Sequence, residues 1–189
     1  MTEGHKWLLL VYKIPPEPSR YRVAVWRRLK GAGAVYLQNS VCVLPDSEAN
    51  RDLFGAVARE IEAAGGESLM FLAEASDPAE QERVVARFNS ERDAEYGEFL
   101  EQCAAFLEEI RRETERRNFT FGELEENDEN LERLRGWLGK IEGRDFFGAA
   151  RAQEARARLG ECREALEAFA ARIYAASEGQ EVAGGRAPG

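Results

Sequence analysis

The chain has 189 residues, of which 44% are hydrophobic and 32% are charged, and its formal net charge is -9. No apolar run approaches the roughly 20 residues of a membrane-spanning helix, and the early run WLLLVY is too short for a cleaved signal peptide. These features predict a cytoplasmic protein that does not enter a membrane. The overall acidity also argues against non-specific coating of nucleic acid.

The charge is unevenly distributed along the chain. Residues 1–47 contain seven lysines and arginines against three acidic residues, which is a net charge of +4. Residues 76–177 contain 16 lysines and arginines against 24 acidic residues, which is a net charge of -8. A basic segment on an acidic protein is compatible with one directed contact to an anionic partner.

The first 75 residues alternate between strand and helix patterns, and each pattern is bounded by its own stop signal. Pro15 and Pro16 end the first apolar strand, and Gly31 and Gly33 end the first helix because glycine accepts a left-handed C-cap. The predicted elements are, in order, strand 7–12, helix 19–30, strand 34–37, strand 41–44, helix 47–64 and strand 68–73. This β-α-β-β-α-β order is the split βαβ arrangement of ferredoxin-like folds.

The second half of the chain is predicted to be helical. Asp77, Pro78 and Glu80 supply an N-cap, a first-turn proline and a third-position glutamate, and Thr120 with Glu123 forms a second capping box. Behind these signals, apolar residues recur at helical spacing over 85–110, 131–141 and 152–173.

The expected fold class is therefore α+β. A ferredoxin-like domain at residues 1–75 is followed by an all-helical extension of about three helices, packed on it, at residues 76–177. The tail at residues 178–189 is rich in glycine and is expected to be disordered.

Helix 19–30 is the main candidate for binding chemistry. Arg20 and Arg27 point away from its apolar face, and Arg28 and Lys30 flank them. These four cations are suited to contact DNA phosphates, because each such contact releases counterions. The alternative interpretation is a solvated helix face with a few local ion pairs.

Arg22 falls on the apolar side of the same helix, together with Trp26 and Leu29. A buried guanidinium must be paired, because an unpaired buried charge is very costly. Structural pairing with a glutamate of the following long helix, Glu95, Glu98 or Glu101, is the favoured interpretation. The alternative is an arginine that binds a tetrahedral dianion through its planar fork. Trp26 is predicted to be a core or helix-packing residue, like Trp7 and Trp137.

The residue types needed for metal and nucleophilic chemistry are sparse. Cys42, Cys103 and Cys162 form no CxxC pair, and His5 is the only histidine. A zinc site therefore lacks ligands within this chain, and the cysteines are expected to be core residues. We predict no metal, no cofactor and no catalytic residue.

Six stretches of the sequence carry a family resemblance: WLLLVYKIPPEPS, RVAVWRRLKGAGAVYL, VCVLP, RDAEYGEFLEQ, FGELEENDENLERLRGWLGKIEGRDFFGA and EALEAFAARIYAAS. They resemble the N-terminal domain of ChrB, the chromate resistance protein family, up to about Ser177. The resemblance implies a cytoplasmic transcriptional regulator that responds to chromate and touches DNA through the basic helix. Family members often carry a further C-terminal domain.

A more distant similarity concerns the pattern of strand, arginine-rich helix and G-x-x-x-L-Q-x-S-V. It is similar to the small spacer-acquisition nuclease of CRISPR systems and to the middle domain of phenylacetic-acid-type repressors, which use this ferredoxin-like unit, often as a homodimer. The nuclease family has an aspartate at the end of its first strand, where this chain has Lys13. A lysine cannot hold the divalent metal that phosphodiester hydrolysis needs, so nuclease activity is not expected.

The leading hypothesis is thus a non-enzymatic, homodimeric regulator of the chromate-resistance type that binds DNA and responds to chromate or another oxyanion. The competing hypothesis is a protein-interaction or assembly module without nucleic-acid binding. Its contact surface would be the acidic helical extension.

Overall fold

The secondary structure follows the predicted order, β-α-β-β-α-β and then helices. The computed structural model describes the backbone of residues 5–184 and the side chains as far as residue 177. Its elements are β1 (Lys6–Lys13), α1 (Ser19–Gly31), β2 (Val35–Gln38), β3 (Val41–Pro45), α2 (Glu48–Ala63), β4 (Glu67–Glu74), α3 (Pro78–Arg116), α4 (Phe121–Glu142) and α5 (Ala152–Gly184). The predicted mixed α+β class is confirmed. Across residues 5–184, no helix combines the length and apolar character needed to cross a membrane.

The four strands form one antiparallel sheet in the order β2-β3-β1-β4. β2 and β3 form a hairpin around Asn39 and Ser40, and Ser40 has a left-handed φ of 62°. β2 also contains a bulge, because Tyr36 lies opposite Cys42 whereas Gln38 lies opposite Val41. The two strands that the sequence predicts over 34–37 and 41–44 are therefore joined by a tight turn, and the bulge was not anticipated.

Both crossover helices end in a Schellman motif. In α1, Gly33 has a φ of 83° and the Ala34 N–H donates to the Leu29 carbonyl at 3.0 Å. In α2, Gly65 has a φ of 76° and the Gly66 N–H donates to the Ile61 carbonyl at 2.9 Å. These bonds satisfy the last helical carbonyls and turn the chain directly into the following strand. Gly33 is therefore the terminating glycine of α1, as predicted, whereas Gly31 is its last helical residue.

The chain divides into two compact units. Unit 1 comprises residues 1–91 and 144–148, and unit 2 comprises residues 92–143 and 149–189. The sequence placed the boundary near residue 75, before α3, whereas the division falls within α3. The first turns of α3 belong to unit 1 because Phe88 stacks on Trp7 of β1, with ring centroids 5.6 Å apart.

The core of unit 1 covers β1 on both faces, as its apolar sequence predicts. Trp7, only 3% exposed, lies against Phe88 and Phe147 on one face. The neighbouring Leu8 points to the other face, because strand side chains alternate. Buried side chains from the helices complete this cluster: Val25 and Leu29 of α1, and Phe54, Val57 and Ile61 of α2.

Unit 2 has a core of its own, built from α4, α5 and the remaining part of α3. The Thr120 side chain accepts a hydrogen bond from the Glu123 N–H at 3.3 Å, so the predicted cap of α4 is confirmed. Helix α5 continues to Gly184, beyond its predicted end near Ser177. The remainder of the predicted disordered tail, residues 185–189, lies outside the described residues.

Candidate anion-binding site

Helix α1 presents a narrower apolar face to the core than its sequence suggests. Val25 and Leu29 are buried, but Trp26 is 51% exposed and Arg22 is also exposed. At 100° per residue, Trp26 lies more than a quarter turn around the helix from Val25, which places it at the edge of the buried face. The prediction that Trp26 is a core residue is therefore wrong, and so is the assumption that Arg22 is buried.

The structural role predicted for Arg22 depended on that burial. Pairing with Glu95 or Glu98 was expected because a buried guanidinium needs a carboxylate, and an exposed guanidinium has no such need. Glu95 accepts a hydrogen bond from Arg92 within α3 at 3.2 Å, and Glu98 is exposed. Arg22 is thus available for another role.

Arg22 and Trp26 form one wall of a cavity of about 570 Å³, which we call the cationic pocket. Three segments of unit 1 meet there: the end of β1, the exposed side of α1, and the β2–β3 hairpin. The pocket is lined by Tyr12, Lys13, Ile14, Arg22, Trp26, Lys30, Tyr36, Asn39 and Ser40. It combines three cations with three aromatic rings and two neutral polar side chains.

Backbone contacts hold these segments together. The Tyr12 N–H donates to the Ser40 carbonyl at 3.0 Å, which fixes the hairpin turn against the end of β1. At the bulge of β2, Arg87 donates to the carbonyls of Tyr36 and Leu37 at 3.4 and 3.2 Å. Bulges often occur beside functional sites, where they redirect a side chain. Here the bulge adjoins Tyr36, one of the pocket aromatics.

Two tyrosines, Tyr12 and Tyr36, line the pocket and contact each other. Their hydroxyls are 2.8 Å apart, and burial raises the pKa of both Tyr12 and Tyr36 above the usual value. Both hydroxyls therefore keep their protons at neutral pH. One hydroxyl donates to the other, so the second retains its own proton for an acceptor such as an anionic oxygen.

The cations of the pocket differ in how far they are neutralised. Lys30 pairs with Glu91 at 2.7 Å and lies 5.8 Å from the centre of the Tyr36 ring. In the part of the chain whose side chains are described, Lys13 and Arg22 form no ion pair. These two carry the uncompensated positive charge of the site. Lys13 occupies the position at which the sequence argument placed a missing metal-ligating aspartate.

The other predicted binding residues of α1 lie outside the pocket lining. Arg28 forms an exposed ion pair with Glu60, and the Arg20 guanidinium lies 5.0 Å from the centre of the Tyr21 ring. Arg27 is exposed and, among the side chains described, has no ion-pair partner. Of the five cations singled out in the sequence, the pocket brings together Arg22 and Lys30.

Sequence reasoning missed most of the remaining lining. Lys13 was considered only as standing in place of a metal ligand, and Asn39 and Ser40 fell in the gap between two predicted strands. A signal was nevertheless present, since a lysine directly after an apolar strand and a polar hairpin tip are both exposed features. What the sequence did not reveal is that they lie beside Tyr36.

Two larger cavities occur in unit 2, of about 710 and 630 Å³. The first is lined by α3 and α4 and includes Glu98, Glu101 and Glu109. The second is lined by α4 and α5 and contains both carboxylates, such as Asp128, and arginines, such as Arg163. The first cavity sets three glutamates against the single cation Arg133, and the second sets three carboxylates against three arginines. The cationic pocket has three cations and no carboxylate in its lining, so it is the better candidate for anion binding despite its smaller volume.

Most of the chain matches a family of known proteins. The family described as "Protein ChrB, N-terminal" matches residues 22–180. Protein ChrB from Cupriavidus metallidurans is 28% identical over 99 residues, which cover 52% of this chain and 30% of that relative. The aligned part thus spans under a third of the relative's length. No solved structure matches.

Proposed function

We propose that this protein, which belongs to the family of the ChrB N-terminal domain, is a regulatory protein of chromate resistance. In this proposal it is cytoplasmic and non-enzymatic, binds DNA through the cationic pocket and the adjoining surface of α1, and responds to an oxyanion such as chromate. The family supports the chromate-resistance role, and the pocket supports anion binding.

The observation that carries the proposal is the pairing of uncompensated charge with aromatic surface in one pocket. Arg22 offers a planar fork for anionic oxygens and Lys13 a point charge, while the exposed ring of Trp26 offers an apolar surface. A tetrahedral oxyanion fills only about two or three water volumes of roughly 30 Å³ each. The cavity of about 570 Å³ therefore has room for a DNA phosphate with its sugar as well as for a free oxyanion.

The finer fold assignment is part of the same proposal. The order β2-β3-β1-β4, with antiparallel pairing and two crossover helices, supports a ferredoxin-like unit 1. The proposal of no nuclease activity rests on Lys13, because an ammonium group at the end of β1 repels a divalent metal and attracts a phosphate.

The test is fluorescence anisotropy with a labelled duplex taken from the DNA upstream of the protein's own gene. We expect Arg22→Gln to weaken binding and to lower the slope of log affinity against log salt by about 0.9, the value for one lost phosphate contact. Arg172→Gln is the matched control, because Arg172 is an exposed arginine of unit 2 without an ion pair among the described side chains.

Two results would contradict the proposal. One is wild-type binding that is no tighter than that of Arg22→Gln at either salt concentration, and the other is an equal loss in Arg172→Gln. A second experiment tests the response to an oxyanion. Chromate is titrated into the protein–DNA complex, and sulfate serves as a control of the same charge and shape. We expect chromate to shift the DNA affinity, and Arg22→Gln to abolish that shift.

A second candidate function is an interaction module formed by unit 2. Its support is an exposed aromatic pair, Phe121 (53% exposed) and Tyr174 (55% exposed), whose ring centroids are 5.5 Å apart. A pull-down that recovers a protein partner but no DNA would favour this function. Loss of that partner on Phe121→Ala with Tyr174→Ala would assign the contact to the aromatic pair.

A further inference from the structure

Strand β4 is a sheet edge with an unusual composition. It pairs with β1 along its whole length, Glu67–Glu74, and it is the last strand in the order β2-β3-β1-β4. Four consecutive large apolar side chains on it are exposed: Leu69 (63%), Met70 (48%), Phe71 (47%) and Leu72 (55%).

These side chains lie on both faces of the sheet. Directly opposite residues of an antiparallel pair share a face, so Met70 and Leu72 share the face of the buried Leu10 and Leu8. Leu69 and Phe71 lie on the other face. A strand that is apolar on both faces is typical of the interior of a sheet, yet β4 has a neighbour on one side alone among the described strands.

The two edge strands of the sheet, β2 and β4, differ in length and regularity. β2 is four residues long, contains a bulge, and has two carbonyls occupied by Arg87. β4 is eight residues long, pairs without a register shift, and has neither a charge nor a proline between Glu67 and Glu74. Short length, bulges, charges and proline are the devices that keep edge strands from pairing. β2 has such devices, whereas β4 is built to accept another strand.

We propose that β4 pairs antiparallel with the β4 strand of a second copy of this chain. The two four-stranded sheets would then form one continuous sheet about a twofold axis. This assigns a surface to the homodimer that was expected from the more distant similarity to ferredoxin-like nucleases and repressors, and it does not depend on DNA binding.

The sequence of β4 is self-complementary in one register. A twofold axis normal to the sheet keeps each residue on its own face, so the pair must be centred on a residue. Centred on Phe71, it sets Phe71 against its own copy, Met70 against Leu72, Leu69 against Ala73 and Ser68 against Glu74. Centred on Met70, it would set Ser68 against Leu72 and Glu67 against Ala73. In neither register does Glu67 lie opposite Glu74.

The buried area suits a second copy. An aromatic side chain buries 150–250 Å², so four large side chains at about half exposure present on the order of 400 Å² per copy. The largest apolar patch on a soluble monomer is typically about 300–600 Å² and is often functional. Together with the backbone edges, two copies would bury on the order of 1,000 Å², the lower limit for a specific interface. The dimer should therefore dissociate on dilution.

The oligomeric state of the full chain tests the proposal. Sedimentation equilibrium is measured from about 1 to 100 μM, the range that a small interface makes informative. We expect a monomer–dimer equilibrium for the wild type, and a monomer at all concentrations for Phe71→Lys, because two lysines would oppose each other at the axis. Ala157→Lys, which adds the same charge at an exposed position of unit 2, should dimerise like the wild type. Unchanged circular dichroism shows that each variant folds.

Cysteine cross-linking tests the register. Directly opposite residues have Cα atoms about 4.5–5.5 Å apart, within disulfide range, so Phe71→Cys should form a cross-linked dimer on oxidation. Met70→Cys should not, because in this register its counterpart is diagonally placed at about 7–8 Å. Cross-linking at 70 but not at 71 would overturn the register.

A wild type that stays monomeric throughout, a Phe71→Lys chain that dimerises unchanged, or oligomers larger than a dimer would each overturn the proposal. Anisotropy with labelled DNA is measured on Phe71→Lys as well. The oligomeric state tests the β4 interface, and DNA affinity tests the proposed function. Either proposal can therefore fail while the other stands.

Discussion

Replacing Gly66 by alanine tests whether the turn from α2 into β4 holds the end of β1 in place. A Cβ atom on Gly66 would lie 2.4 Å from the Lys13 carbonyl oxygen, 2.8 Å from Ile61 Cγ2 and 3.0 Å from the Ile61 carbonyl oxygen. Ile61 is fully buried and two of the three obstacles are backbone atoms. Favourable contacts start at about 3.5 Å, so the backbone at Lys13 or Ile61 must move by about 1 Å.

The expected loss of stability follows from the size of that backbone movement. Overpacking a filled site usually costs about 1–3 kcal/mol, and backbone obstacles place Gly66→Ala at the upper end, near 3 kcal/mol. Gly31→Ala is the matched control, because Gly31 is helical and its new Cβ would have no neighbour within 4 Å. That change should stabilise α1 by about 0.5–1 kcal/mol. The two substitutions should therefore differ by about 3.5–4 kcal/mol.

Urea unfolding followed by tryptophan fluorescence measures this difference. A Trp137→Phe background removes the tryptophan of unit 2, so that the signal comes from Trp7 and Trp26 of unit 1. A Gly66→Ala protein within about 0.5 kcal/mol of its parent, the usual range of surface substitutions, would refute the reasoning. Because Lys13 lines the cationic pocket, Gly66→Ala should also weaken DNA binding, whereas Gly31→Ala should not.

Three further predictions concern stability and thiol reactivity. Burial raises the pKa of Cys42 from 9.0 to about 12, so the unfolded chain releases this proton first. The contribution of Cys42 to the free energy of unfolding should be fully present below pH 9 and should be lost between pH 9 and 12 by up to about 1.4 kcal/mol per pH unit. Urea titrations of Cys42→Ala over that range should therefore show a smaller slope than the wild type. Cys42, Cys103 and Cys162 are all fully buried, so a thiol reagent should modify them rapidly in urea and slowly in the native state; rapid native labelling would contradict the structure. Thr120→Ala should cost about 1 kcal/mol through loss of the α4 cap, with Thr120→Ser close to wild type in thermal unfolding.

The boundaries of most elements could be predicted because their causes are local. A cap such as Thr120 satisfies N–H groups three residues away, and Gly33 ends α1 through hydrogen bonds within its last turn. Such interactions lie within a few residues, so their signals are readable in the sequence. The end of α5 was less well predicted, because its glycine-rich continuation contains no comparable stop signal before Gly184.

Which side chains of a helix face the core was harder to predict than whether a segment forms a helix or a strand. Arg22 and Trp26 lie within a helix that was predicted correctly, but their exposure depends on how α1 sits on the sheet. Two buried residues, Val25 and Leu29, define that contact. Trp26 lies about 100° around the helix from Val25 and about 60° from Leu29, so its burial depends on how α1 is rotated against the sheet. Helical periodicity indicates which side is apolar on average and does not fix where its edge falls.

The sequence by itself determined the order of strands and helices, the basic character of the first 47 residues and the cation at the end of β1, because these are properties of neighbouring residues or of composition. Tertiary structure alone decided that Lys13, Arg22 and Tyr36 share one pocket, since antiparallel pairing and a crossover helix bring together residues far apart in the chain. It also decided that β4, whose apolar sequence is that of an interior strand, lies at an edge. Position within a sheet follows from the pairing of all its strands, and no single strand encodes it.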